Sequence, residues 1–218
     1  MDAARASQRK PLMPESTYFE IFSLPQHLNI DTAGLEKSFY ALSRRLHQDR
    51  FAGRSVKEQE AALAESSRLN DAYRTLKDPV ARTEYLLKLE GIELEEQSRA
   101  ATDAARGAGT TKKQVVPEDL LEEAFELNMQ LEEIRAATKM GEDDPQLREE
   151  LSTAKAGFDQ KLATTDADLR QLWAKWDVAV DAGDVAAKNA TRDAMVALLN
   201  RRSYLRNLVR DVNEALEL

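Results

Sequence analysis

Apolar residues recur along this chain at spacings of three and four, the signature of helices with one buried face. The first strong run covers residues 35–46, where Leu35, Phe39, Leu42 and Leu46 form a stripe. A second covers residues 58–76, with Ala62, Ser66, Leu69, Tyr73 and Leu76 in register. Ahead of both, Tyr18-Phe19-Glu20-Ile21-Phe22 reads as a short apolar turn that Leu24-Pro25 stops, because proline disfavours helix at the preceding residue. Asp31 is placed to cap the helix that carries Leu35. Asp78-Pro79 ends the second run and restarts the chain as a short helix with Tyr85, Leu86 and Leu89, closed by Gly91. The two main runs, joined by a short polar connection, are expected to pack antiparallel.

The pattern then lapses. From residue 93 to 116 alanine, glycine, threonine and lysine dominate, around Gly107-Ala108-Gly109-Thr110-Thr111, and no core can be anchored there. This stretch is expected to be a linker. Pro117 opens a second unit, with Glu118 and Asp119 suited to a helix N-terminus. Leu120, Ala124, Leu127, Leu131 and Ile134 make its core stripe, and Gly141 ends it. Asp144-Pro145 begins a helix with Leu151, Phe158, Leu162, Leu169, Leu172, Trp173, Trp176 and Val180. After a turn at Gly183-Asp184, a last helix carries Leu198, Arg202, Leu205, Val209, Val212 and Leu216. Three helices with short connections predict an antiparallel bundle. The expected architecture is all-α: a tail over residues 1–17, a helical hairpin unit over 18–92, the linker over 93–116, and a three-helix unit over 117–218.

Composition narrows the function more than the fold. The chain has 218 residues and no cysteine, which excludes disulfides, thiolate zinc sites and cysteine nucleophiles. No apolar run is long enough to span a membrane, and the polar, basic N-terminus lacks the apolar segment of a secretory signal. A disordered tail and a cytoplasmic protein are expected. The net charge is -8. Lysine and arginine against aspartate and glutamate number 11 and 11 over residues 18–90, but 13 and 22 over 117–218. The acidic excess lies in the second unit, which speaks against general nucleic-acid binding.

Against that background the connection Leu46-His47-Gln48-Asp49-Arg50-Phe51 stands out. His47 and Asp49 bracket one residue and can present polar groups at the same turn. The helix before it carries Lys37, Arg44 and Arg45 away from its core stripe, so its surface is positive in a negative protein. Taken alone, three such cations are more simply a solvated helix face. An acid–base pair of His47 and Asp49 would be the enzymatic reading. No serine has the setting of a nucleophile and nothing resembles a phosphate loop or a metal cluster, so no enzyme is expected. In the second unit, Leu121, Phe125 and Met129 make another stripe beside the core one, flanked by Glu122 and Glu126. Either the bundle buries a wide apolar face, or these residues form a partner site of apolar anchors rimmed by carboxylates.

Both halves resemble one family. Tyr18-Phe19-Glu20-Ile21-Phe22-Ser23-Leu24, the His-Gln-Asp connection, the run Leu69-Asn70-Asp71-Ala72-Tyr73-Arg74-Thr75-Leu76-Lys77-Asp78-Pro79 and Arg82-Thr83-Glu84-Tyr85-Leu86-Leu87 are similar to the J-domain of HscB iron–sulfur co-chaperones. The acidic second unit, with Gln130-Leu131-Glu132-Glu133-Ile134, resembles that family's scaffold-binding domain. The resemblance implies an adaptor with no catalytic residues, no metal and no cofactor of its own. It would bind an IscU-type scaffold and stimulate ATP hydrolysis by a DnaK-class chaperone of the HscA type. By the same resemblance Lys37, Arg44, Arg45, His47, Gln48 and Asp49 would face the chaperone. Leu121, Glu122, Phe125, Glu126 and Met129 would face the scaffold, with Tyr204 bordering that surface.

One departure bears on this. The family's loop is His-Pro-Asp, and Gln48 replaces the proline. Proline fixes its own φ and biases the residue before it toward extended backbone. Losing it where it fits costs about 0.4–1 kcal/mol through the unfolded chain, too little to unfold a domain. The expectation is a working loop with a looser grip on His47 and Asp49; the alternative is a J-like structural adaptor whose loop no longer stimulates a chaperone.

Overall fold

In a computed structural model of the chain, residues 16–46, 53–92, 94, 117–142 and 144–217 are described. All regular structure among them is helical. The chain divides after Ile92 into two compact units.

Among its described residues the first unit holds four helices: α1 (Tyr18–Ile21), α2 (Thr32–Leu46), α3 (Val56–Lys77) and α4 (Pro79–Leu89). Thr17 opens α1 with a reciprocal capping box to Glu20. Ser16 is also held, because Arg68 donates a hydrogen bond to its carbonyl. Asp31 precedes α2 and accepts from the Ala33 amide at 3.0 Å. α3 starts earlier than the apolar period suggests. Ser55 accepts from the Glu58 amide and Glu58 answers at the Ser55 amide, a Ser-x-x-Glu signal visible in the sequence but outside the hydrophobic pattern. Asp78 caps α4, with Pro79 in its first position.

The unit's core is Phe19, Ile21, Phe22, Leu28, Leu35, Leu69, Ala72, Leu76, Leu86 and Leu87. Of the α2 stripe only Leu35 is fully buried, and Phe39, Leu42 and Leu46 are half-buried. Arg82 is buried among these apolar groups, where its Nη1 donates to the Leu76 carbonyl at 2.6 Å, near the C-terminal end of α3.

The first regular element among the second unit's described residues is a 3-10 turn, Glu118–Leu120, which leads into α5 (Leu121–Met140). Two long helices follow, α6 (Pro145–Ala182) and α7 (Val185–Leu216). At 1.5 Å per residue α6 is about 57 Å long and α5 about 30 Å, so α5 covers only part of the hairpin. Gly141 and Gly183 both end helices in left-handed backbone, with φ of +77° and +65°. Asp184, directly after Gly183, accepts from the Ala187 amide and starts α7.

The shared core joins Leu120, Leu127, Leu131 and Ile134 to Leu147, Leu151 and Phe158 of α6 and to Leu205, Leu208 and Val212 of α7. Burying each such side chain is worth about 1.5–3 kcal/mol. Further along the hairpin Leu169, Trp173, Trp176 and Met195 are buried, and Lys188 sits over the Trp176 ring.

The stripe expected on α7 is only partly the one found. Leu205 and Val212 are in the core, whereas Leu198 and Arg202 are half-buried, and Met195, Leu199, Leu208 and Ala215 are buried instead. α7 packs along α6 over most of its length and meets α5 as well, so its covered face is wider than one stripe. Arg202 turns to α6, where its Nε meets Asp166 at 2.6 Å. Lys161 of α6 reaches Glu123 of α5 at 2.9 Å, and Arg201 reaches Asp119 at 2.7 Å. These pairs tie the start of α5 to both long helices.

Two predictions come from these details. Ser23 follows α1 at φ +55°, a conformation that side-chain-bearing residues adopt at a cost. Ser23→Gly is expected to stabilise the first unit by about 0.5–1 kcal/mol in urea denaturation. Hydrogen bonds from Arg201 hold the Asp119 carboxyl below its ordinary 3.8. A depressed folded pKa contributes stability above the unfolded value and loses it as pH falls through the folded one. The second unit, followed by the fluorescence of Trp173 and Trp176, should therefore lose more stability on acidification than an Asp119→Asn variant does. The difference is expected to be about one or two degrees in Tm, because Asp119 is largely exposed.

Candidate functional site

Two separate surfaces carry the residues singled out in the sequence, one on each unit. The first is the outer face of α2. Its inner face is fixed to α3 by an aromatic stack, with Phe39 and Tyr73 centroids 4.2 Å apart and nearly parallel. The Tyr73 hydroxyl donates to Glu36 at 3.0 Å, and Lys77 donates to the same hydroxyl at 3.1 Å. That hydrogen bond first, and Glu36 after it, push the Lys77 ammonium above its ordinary pKa. With this side tied down, Lys37, Arg44 and Arg45 face out and are exposed. Arg44 and Arg45 lie in the last turn of α2, where positive charge suits the exposed carbonyls. Lys37 is in the body of the helix and gains nothing from that effect.

His47, Gln48 and Asp49 lie outside the described residues. What the structure fixes is the pair of helices on either side of them. One residue on the α2 face escaped the sequence reading. Tyr40 is three residues from Lys37 and four from Arg44, on the side opposite the core stripe, and is 55 % exposed. The available signal was an aromatic residue at helical spacing within the cationic face, off the apolar register.

The second surface lies on α5. Leu120, Ala124, Leu127, Leu131 and Ile134 are all buried, so the core stripe of this helix is the one expected. Leu121, Phe125 and Met129 are 51, 68 and 61 % exposed. They form an apolar row on the outside of a helix whose core is already filled. Glu122 and Glu126 are exposed beside them. Tyr204 is different. It was expected at the border of this surface, but it is 6 % exposed and belongs to the core cluster with Leu205 and Leu208. Desolvation raises the pKa of its hydroxyl, which fits that place. The wide face of α7 draws Tyr204 inward, and a single-stripe reading of the helix could not foresee it.

The contrast within α5 makes a direct stability prediction. Phe125→Ala should change stability by less than about 0.5 kcal/mol, because the ring is outside. Leu127→Ala, two residues along, should cost about 2–5 kcal/mol. Parallel urea titrations of the two variants check this, and equal losses would place Phe125 in the core.

The comparisons agree with this architecture. No family model matches the chain. The co-chaperone protein HscB homologue of Neisseria meningitidis is 35 % identical over 156 residues, which span 70 % of this chain and 86 % of that protein. Co-chaperone protein HscB of Proteus mirabilis is 30 % identical over 167 residues, 75 % of this chain and 84 % of that one. Among solved structures, chaperone HscB from Vibrio cholerae matches with a TM-score of 0.57 and 26 % identity, covering 91 % of this chain and 96 % of its own. An all-α chain of two helical units, similar over most of its length to these proteins, belongs to the HscB family of co-chaperones.

Proposed function

We propose that this protein is an adaptor in iron–sulfur cluster assembly, acting in the cytoplasm. Its second unit binds an IscU-type scaffold, and its first unit presents that client to a DnaK-class chaperone of the HscA type and stimulates ATP hydrolysis there. The observation that carries the client half is the exposed row Leu121, Phe125 and Met129, lying beside a buried stripe that already satisfies the bundle. Apolar anchors on a rigid helix, with Glu122 and Glu126 at their edge, suit a partner with an apolar patch and nearby positive charge. The chaperone half rests on the exposed cations Lys37, Arg44 and Arg45, which lead along α2 toward His47, Gln48 and Asp49. Cations on a fixed helix speed encounter with an acidic partner, and the loop residues would then make the specific contacts. The division of charge between the units fits two protein partners of different character, and neither nucleic acid nor membrane is among them.

Gln48 favours a second reading, in which the first unit binds a chaperone without stimulating it. An ATPase assay with the cognate chaperone separates the two. On the main reading the wild-type protein stimulates hydrolysis, Asp49→Asn removes most of the effect, and Gln48→Pro leaves it equal or higher. If wild type and Asp49→Asn are equally inactive, the first unit is not a working co-chaperone. On the client side, Phe125→Ala should weaken scaffold binding at least about tenfold, a loss of about 1.4 kcal/mol. Glu126→Lys should weaken it in a way that added salt diminishes. Unaltered scaffold affinity in both variants would move the client surface elsewhere.

A further inference from the structure

We propose that Tyr40 is an anchoring contact for the chaperone, set among the cations of α2 and supplying the short-range part of binding that those charges cannot. This rests on the reading of the first unit given above and names a residue within it.

Tyr40 is on the outer face of α2 together with Lys37 and Arg44, while Leu35, Phe39, Leu42 and Leu46 line the inner one. Its 55 % exposure shows that the unit does not need the ring for its core. A single exposed aromatic is common on protein surfaces and by itself means little. Two features set this one apart. The first is support. The Tyr40 ring lies 5.5 Å from Phe39, tilted by 57°, and Phe39 is stacked in turn on Tyr73 of α3. A ring braced from beneath has less motion to lose when a partner covers it, so more of its contact energy appears as affinity.

The second feature is the charge around it. Lys37 and Arg44 are exposed on either side along the helix, and Arg45 is one position beyond. Exposed cations act at long range and are screened by salt, and each such pair adds little to a bound complex. They accelerate encounter more than they slow release. A tyrosine in their midst does the reverse, since it binds by excluding water at contact and is among the residues that dominate interface energies. The partner surface that fits is acidic, with an apolar side chain surrounded by carboxylates. The carboxylates meet Lys37 and Arg44 while the apolar group covers the ring.

The two roles separate in a binding experiment. The full-length protein and a purified DnaK-class chaperone from the same organism are compared by association and dissociation kinetics at several salt concentrations. Tyr40→Ala should weaken binding about tenfold or more, through faster dissociation, with the salt dependence of association unchanged. Tyr40→Phe should stay within about twofold of wild type. Tyr40→Lys adds positive charge yet should bind more weakly than wild type, because the anchor is gone. Lys37→Ala should slow association and flatten the salt dependence. Thermal unfolding of each variant should stay within about two degrees of wild type, since neither residue belongs to the core and the Tyr40 ring gives up only its edge contact with Phe39. A chaperone that binds wild type and Tyr40→Ala equally, or binds Tyr40→Lys as tightly as wild type, overturns the proposal and leaves the co-chaperone reading standing. A wild-type protein with no measurable chaperone binding overturns both.

Discussion

The seating of α5 on the α6–α7 hairpin decides most of what the second unit offers to a partner. Leu120, Leu127, Leu131 and Ile134 are all nearly inaccessible, and together they fix the rotation of the helix about its own axis. At about 1.5–3 kcal/mol for each buried side chain, this outweighs the surface ion pairs, which contribute about 0–1 kcal/mol apiece. Lys161–Glu123 and Arg201–Asp119 therefore refine a position that apolar burial has already chosen. With the rotation fixed, Leu121, Phe125 and Met129 have nowhere to go but outside. The exposed row is a consequence of the filled core.

The first unit uses the same logic with aromatics. Leu35 provides the deep contact of α2, and the Phe39–Tyr73 stack sets the helix against α3. The hydrogen-bonded group of Glu36, Tyr73 and Lys77 closes one edge of that contact. A helix held along one side presents the other reproducibly, so its cations occupy defined positions although each side chain is solvated. Rigid presentation of charge is useful where encounter must be fast and orientation limited.

Among the described residues the two units differ in surface: a cationic face on α2 of the first, an apolar row edged by carboxylates on α5 of the second. Each face lies on a helix whose opposite side is buried, so its own unit's core does not depend on it.

Much of this was legible in the sequence. Period, caps and breakers place α2 to α7 closely, because Asp78-Pro79, Asp144-Pro145, Gly91, Gly141 and Gly183 act through local backbone geometry that needs no tertiary context. The core stripe of α5 was legible for the same reason, since one helix against one hairpin buries one stripe. The motifs around Tyr73 and Tyr85 carried the family likeness. The tertiary structure decided the rest. The sequence left two readings of Leu121, Phe125 and Met129, because spacing alone does not reveal how wide a face the bundle covers. For α7, which runs along α6 for most of its length and also meets α5, the covered face is wide: it takes in Tyr204 and Leu208 and leaves Arg202 to pair with Asp166. For α5 it is narrow, and Phe125 stays in solvent. A helix's own period specifies where apolar residues line up, but how much of its circumference the neighbouring helices cover sets how many of those lines are buried.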